Sequence, residues 1–168
     1  TTLLTNISYS EAIELAFYGA SVIHPKTLQP LQRKNIPLYV KSFLNPKMDG
    51  TTVSKGVKIK PLIPCFILKP NQTLLKLSSL DFSFIVEKNI SQIFELLHKY
   101  QMKVDMIQNS AISFSVCVNN KFGRLDDLVK NLNTKFKVDV NENVDLYTVR
   151  HFNQKSIDKI KNLSLIHI

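Results

Sequence analysis

No stretch of this sequence approaches the roughly 20 apolar residues that a membrane-spanning helix needs, and its first residues, Thr1-Thr2-Leu3-Leu4-Thr5-Asn6, lack the basic start and apolar core of a secretory signal. A cytoplasmic location with no membrane partner is the expectation. Without a secretory context, triplets such as Asn71-Gln72-Thr73 carry no weight as glycosylation sites. Cysteine is scarce: Cys65 and Cys117 are the only two, and no Cys-x-x-Cys occurs, which argues against a metal-handling module and predicts two reduced core thiols with no metal site. Acidic residues are outnumbered, 13 against 22 Lys and Arg, for a formal charge of +9. Such a charge attracts nucleic acid or anionic surfaces. The lysines are spread through every segment, from Lys26 to Lys69 to Lys155, and no cluster is interleaved with stacking aromatics, so they read as a solvated surface and no nucleic-acid partner is expected.

What is present is 168 residues of ordinary globular composition, 44% apolar and 21% charged, enough for one domain or two small ones. Ser8-Tyr9-Ser10-Glu11 is a capping-box pattern, followed by Ile13, Ala16 and Phe17 at helical spacing, which predicts a helix over 9–19 that ends at Gly19. His24-Pro25 opens a second helix, expected to kink or restart at Pro30. Residues 37–43 favour a strand, and Asn45-Pro46 with Asp49-Gly50 make a turn-rich loop. Two helices, a strand and a loop are too little to close a core, so residues 1–54 are expected to pack on something else.

After a linker at 55–64 the pattern changes to short strands and helices in close succession. Pro64 and Pro70 bracket a strand over 65–68, and 73–77 makes the next. Asn89-Ile90-Ser91-Gln92 is a cap signature, and Ile90, Ile93, Phe94 and Leu97 share one helical face. A strand over 103–108 follows. Ile112, Phe114, Val116 and Val118 alternate with polar residues in another strand, and Leu125, Leu128, Val129, Leu132 and Phe136 form a helical stripe. Val138 and Val140 begin the last strand of the set. The order is β-α-β-β-α-β over 65–143, the ferredoxin-like split unit. Residues 144–168 repeat the opening of such a unit, with a strand over 144–149, a helix over 156–163 and a further strand from 165. The fold class is therefore α+β.

Three segments near the start carry a resemblance: Tyr18-Gly19-Ala20-Ser21-Val22-Ile23-His24-Pro25-Lys26-Thr27, then Ile36-Pro37-Leu38-Tyr39-Val40-Lys41-Ser42, then Asn45-Pro46-Lys47-Met48-Asp49-Gly50-Thr51. In order and spacing they resemble the end of the kinase domain of aspartokinases, the enzymes that phosphorylate the side-chain carboxylate of aspartate. The region from 65 on resembles the paired ACT modules that form the regulatory tail of that family. The resemblance implies a remnant of the amino-acid-kinase α/β domain at 1–54, an ACT domain at 65–143 and the start of a second, incomplete ACT unit at 144–168. It further implies feedback inhibition by lysine, or alternatively threonine, and a homodimer paired through its ACT domains. ATP with Mg is the cofactor of the full-length enzyme, with Ser21 and Val22 mapping onto an ATP contact. His24 reads as a residue that orders the turn into Pro25.

The effector contacts of the family map onto Lys88, Asn89 and Ile90 at a helix start, Val104 and Asp105 on a strand, and Ser110 in the turn after it. The chemistry suits an amino acid. A helix N-terminus attracts an α-carboxylate, a carboxylate such as Asp105 answers an ammonium, and a serine hydroxyl donates or accepts. The sequence departs from the family's Ser-Arg-Gly-Phe type loop, placing Ile85-Val86-Glu87-Lys88-Asn89-Ile90 there without glycine. Most of the kinase machinery has no counterpart, and Lys121-Phe122-Gly123 lies in a turn of the regulatory module. Phosphoryl transfer needs many positioned groups at once, so no catalytic residue is expected in this chain and, alone, it is expected to be inactive. The rival reading is a ferredoxin-like nucleic-acid-binding module, which requires exposed aromatics on the central strands. Phe114 is the only good candidate, and its place among Ile112, Val116 and Val118 puts it on the core face.

Overall fold

The computed structural model describes residues 2–20, 22–81 and 83–161. They form two compact units, one made of residues up to Leu68 together with those from Tyr147 on, the other of Lys69–Leu146. Among the described residues no helix is long and apolar enough to cross a membrane.

In the first unit, β1 (Asn6–Ser8) leads directly into α1 (Tyr9–Tyr18). The capping residue is Ser8, whose Oγ accepts the Glu11 N–H at 3.1 Å, and the helix closes at Gly19 with φ 119°, a left-handed conformation that glycine adopts at no steric cost. The next helix, α2 (Pro25–Lys34), is capped by His24: its Nδ1 accepts the Lys26 N–H, as the reading of His24 required. Pro30 does not restart α2, which runs as one helix to a left-handed Asn35. Of the strand expected over 37–43 only β2 (Leu38–Val40) forms, while the supposed loop supplies β3 (Thr51–Ser54). β3 is the centre of a three-stranded sheet, parallel to β1 and antiparallel to β2. Gly50 makes this possible, because a Cβ there would lie 2.2 Å from the Val40 carbonyl oxygen.

The expectation that residues 1–54 close no core is corrected by these two short strands. Val53 pairs with Ile7 on one side and Leu38 on the other, and Ile7, Tyr9, Ala12, Leu28 and Val53 are buried together. Phe17, a turn beyond Ile13 on α1, stays mostly exposed.

The second unit has the expected order. β4 (Cys65–Ser79), α3 (Glu87–Lys99), β5 (Lys103–Asn109), β6 (Ser113–Asn119), α4 (Leu125–Leu132) and β7 (Phe136–Arg150) give a four-stranded sheet ordered β5-β6-β4-β7. This is the ferredoxin-like arrangement. Leu75 and Leu77 of β4 and Phe114, Val116 and Val118 of β6 meet Ile93 and Leu97 of α3 and Leu125, Leu128 and Leu132 of α4 in one cluster. Phe114 is buried on the helix face, as its alternation implied, and Phe94 meets it edge-on. Both helices therefore cover a single face of the sheet.

Four boundaries differ from the sequence reading. β4 is one strand where two were expected: Pro70 interrupts no pairing with β6, whose register with β4 begins only at Thr73, and Asn71 absorbs the irregularity with φ 55°. β7 likewise runs on through a left-handed Asn143, so the separate strand over 144–149 is its continuation. Ile112 lies before β6 and is exposed. α4 stops at Leu132, which leaves Phe136 to open β7. The unit boundary falls inside both long strands.

The final helix, α5 (Gln154–Lys161), begins two residues before the expected position. Its cap is reciprocal: Asn153 Oδ1 accepts the Ser156 N–H and Ser156 Oγ accepts the Asn153 N–H, both at 2.9 Å. The strand expected from 165 lies outside the described residues.

Candidate functional site

In the second unit the carboxylate expected to meet an ammonium is deeply placed. Asp105 sits where the β5–β6 register slips, between the pairs Val104↔Val118 and Met106↔Cys117. Such a bulge re-aims a side chain. The side chain of Asp105 is 4% exposed, and Lys69 Nζ lies 2.7 Å from its Oδ1 with a side chain only 14% exposed. Lys103 Nζ stands at 3.8 Å and is 73% exposed, so it adds a weak, solvent-screened attraction. Cys117, paired with Met106 on the intervening strand, feels both charges. Burial raises its thiol to about 11, the Asp105 charge adding to the rise and Lys69 opposing it. A thiol so placed stays protonated and inert. Cys65 is only half-buried, so the core reading holds for Cys117 alone; burial and then Glu11 raise its thiol as well.

The remaining expected contacts gather elsewhere in the unit. α3 starts at Glu87, two residues before the predicted cap, and Asn89 reaches back from its first turn to accept the Val86 N–H on its Oδ1 at 3.1 Å. The N–H groups of Asn89 and Ile90 are engaged with the Val86 carbonyl, which leaves those of Glu87 and Lys88 as first-turn donors. Lys88 is exposed, and Ile90 packs against the core from its margin. Directly before the helix, Ile85 donates its N–H to the Ala111 carbonyl at 2.9 Å. That bond holds the start of α3 against the turn carrying Ser110, whose N–H donates to the Ser113 carbonyl. Asp105 is not part of this group: Ser110 lies five residues on, roughly 16 Å along an extended strand. Val104 packs toward the helices and is available to a ligand only through its backbone.

On the kinase-like side, Ser21 lies outside the described residues. Val22 is 75% exposed, and its N–H already donates to the Ala20 carbonyl at 2.9 Å.

Two groups of charged residues escaped the sequence reading. Lys69 counted there among solvated lysines, and nothing local distinguishes it. In the first unit Glu11, read only as a cap residue, receives Arg150 in a two-pronged contact, Nε to Oε1 at 2.9 Å and Nη2 to Oε2 at 3.0 Å, while His151 Nε2 lies 3.0 Å from Oε1 and Glu14 takes the third guanidinium nitrogen. The Arg150 guanidinium holds the Glu11 carboxyl below its ordinary range, burial opposes, and His151 lowers it further. A shallow depression lined by Ser78, Ile112, Asn133, Phe136 and Lys137 includes none of the expected site residues.

Comparison with known proteins bears directly on this arrangement. Residues 1–42 match the amino acid kinase family. The chain is 34% identical to the lysine-sensitive aspartokinase 3 of Escherichia coli over 69% of its own length and 26% of that protein's. It is 30% identical to the bifunctional aspartokinase/homoserine dehydrogenase of Haemophilus influenzae over 99% of its length and 19% of the relative's. Among solved structures it is similar to E. coli aspartokinase III in complex with lysine and aspartate, in the T-state, with a TM-score of 0.73 at 31% identity, covering 87% of this chain and 34% of that one. The chain thus spans about a quarter or less of the length of these curated relatives.

Proposed function

We propose, for a chain that is related to the aspartokinases along most of its length, that it is the amino-acid-sensing C-terminal part of an aspartate kinase. Its full-length form transfers phosphate from ATP, with Mg, to the side-chain carboxylate of aspartate. The observation that carries this reading is the direct succession, in one chain, of a segment matching the amino acid kinase family and a ferredoxin-like unit with a buried carboxylate on its edge strand. The first unit carries a mostly exposed apolar surface, Phe43 at 97% and Leu44 at 94% among others, which fits a segment that packs on the remainder of a kinase body.

The effector is lysine, with threonine the alternative, and it acts across a homodimer in the cytoplasm. The two groups of contacts within one chain stand too far apart for one free amino acid, which supports a site that draws Asp105 from one copy and the α3 start with Ser110 from the other. Effector binding alters a kinase only through differential affinity for two arrangements of the regulatory modules. The chain by itself is inactive, since phosphoryl transfer relies on groups it lacks.

Calorimetric titration of the chain with lysine and, separately, threonine, with light scattering to read the oligomer, tests the proposal. Saturable binding of one amino acid to a dimer is the expected result. A folded dimer that binds neither would sink it.

A further inference from the structure

The carboxylate that the sensor reading assigns to an effector ammonium is already occupied by the chain itself. Lys69 lies on the stretch of β4 that precedes its pairing with β6, which begins only at Thr73, and Asp105 lies on β5, on the far side of β6. A long lysine and a short aspartate nonetheless meet, and both charges act on the Cys117 thiol of the intervening strand. Both partners sit at backbone irregularities: Lys69 immediately precedes Pro70 and the left-handed Asn71, and Asp105 occupies the β5 bulge. The contact at 2.7 Å is close, and with side-chain exposures of 14% and 4% it is shielded from solvent.

A bound amino acid offers Asp105 the same group that Lys69 does, a primary ammonium with three donors. Two ammonium groups drawn to one buried carboxylate repel each other, and little water is present to screen them. A second ammonium brought as close as Lys69, and as shielded from solvent, is therefore in competition with it, unlike the more distant and exposed Lys103. The tethered group has the advantage of an intramolecular ligand, whose effective concentration reaches the millimolar range or above without any free species.

Resting on the reading of Asp105 as an effector contact, we infer that Lys69 is a built-in competitor for the effector's ammonium and that it sets the sensitivity of the sensor. An effector binds only by displacing Lys69, and free amino acid well below the effective concentration of the tether leaves the site in its self-occupied state. Lys103, mostly in solvent, stands farther from Asp105 at 3.8 Å and attracts it less.

The test is calorimetric titration of the chain with lysine and threonine, comparing the natural sequence with Lys69→Met, Asp105→Asn and the double variant. Lys69→Met is expected to bind its preferred amino acid at least tenfold more tightly than the natural sequence, and the double variant to lose that gain. A gain in affinity is a result that mere structural damage does not produce. Should Lys69→Met fail to fold, Lys69→Gln keeps a neutral donor to Asp105 and is expected to show the same direction of change. Equal affinities for the natural sequence and the Lys69 variants, both abolished by Asp105→Asn, would overturn the competitor and leave the sensor reading standing. Binding indifferent to Asp105→Asn, or absent from every folded variant, would remove the sensor reading and the competitor with it.

Discussion

The two units solve the same problem with different means. Among the described residues, the second encloses a cluster of thirteen buried side chains, from Leu75 to Phe136, between a sheet and two helices, whereas the first gathers five around Val53. At about 1.5–3 kcal/mol for each large side chain taken from water, the second unit holds itself together by burial. The first leans on long-range polar contacts, chiefly Arg150 on Glu11, 139 positions apart in the chain. Their buried carboxylates differ in the same sense. Asp105 meets a point-like ammonium that a competing ammonium can replace, while Glu11 meets the planar fork of a guanidinium, which matches it bidentately. The contrast teaches that one pairing is suited to exchange and the other to permanence.

The sharpest way to break the comparison is through the larger core. Phe114→Ala empties space between α3, α4 and the sheet and is expected to cost about 4 kcal/mol of unfolding free energy in the second unit, read by chemical denaturation. Leu28→Ala in the smaller core, where a smaller but equally buried side chain is removed, is expected to cost about 3 kcal/mol. Similar losses at both sites would show that the first unit is as well packed as the second. Next comes the clamp. Arg150→Met leaves Glu11 partly buried with only His151 beside it and is expected to destabilise the first unit by about 2 kcal/mol, visible as faster amide exchange in α1. Lysine at the same position should restore only part of this, since it cannot engage both oxygens.

Smaller effects sharpen the same contrast. Ser8→Ala removes the side-chain acceptor of α1 and is expected to cost about 1 kcal/mol. Acid should act on the first unit in a defined direction. The Glu11 carboxyl titrates below its ordinary value of 4.5, so its contribution is fully present above that pH and fades as pH falls through the lower, folded-state value. The protection of α1 amides, taken relative to the intrinsic exchange rate at each pH, should therefore fall from pH 6 downward in the natural protein and fall less in Arg150→Met, where only His151 still holds the Glu11 carboxyl down.

Much of the second unit was legible in its sequence because its elements carry clear periods. The alternation through Phe114, Val116 and Val118 and the stripe at Ile93 and Leu97 left little freedom. Boundaries failed where proline and asparagine were given local meanings. Pro70 reads as a strand terminator only if its missing N–H is needed, and β4 has no pairing with β6 there. The strands at 6–8 and 51–54 were missed because three or four residues carry no period. Among the candidate site residues, Asp105 and Ser110 were singled out by the family resemblance, which gave no such pointer to Lys69. A lysine's sequence neighbourhood says nothing about a carboxylate 36 positions away on a strand that is not its neighbour. Arg150 and Glu11 were hidden for the same reason.

The chain enters the second unit along β4 and leaves it along β7, the strand hydrogen-bonded beside it. In terms of the polypeptide, that unit is a cassette: an insertion whose way in and way out are neighbours. A cassette of this kind can be lifted from its host by closing the two cut ends of the host over a short bridge, and it can be set into another host wherever two adjacent strand ends stand ready. It also means that a single nick in either long strand frees nothing, because the other strand still carries the connection.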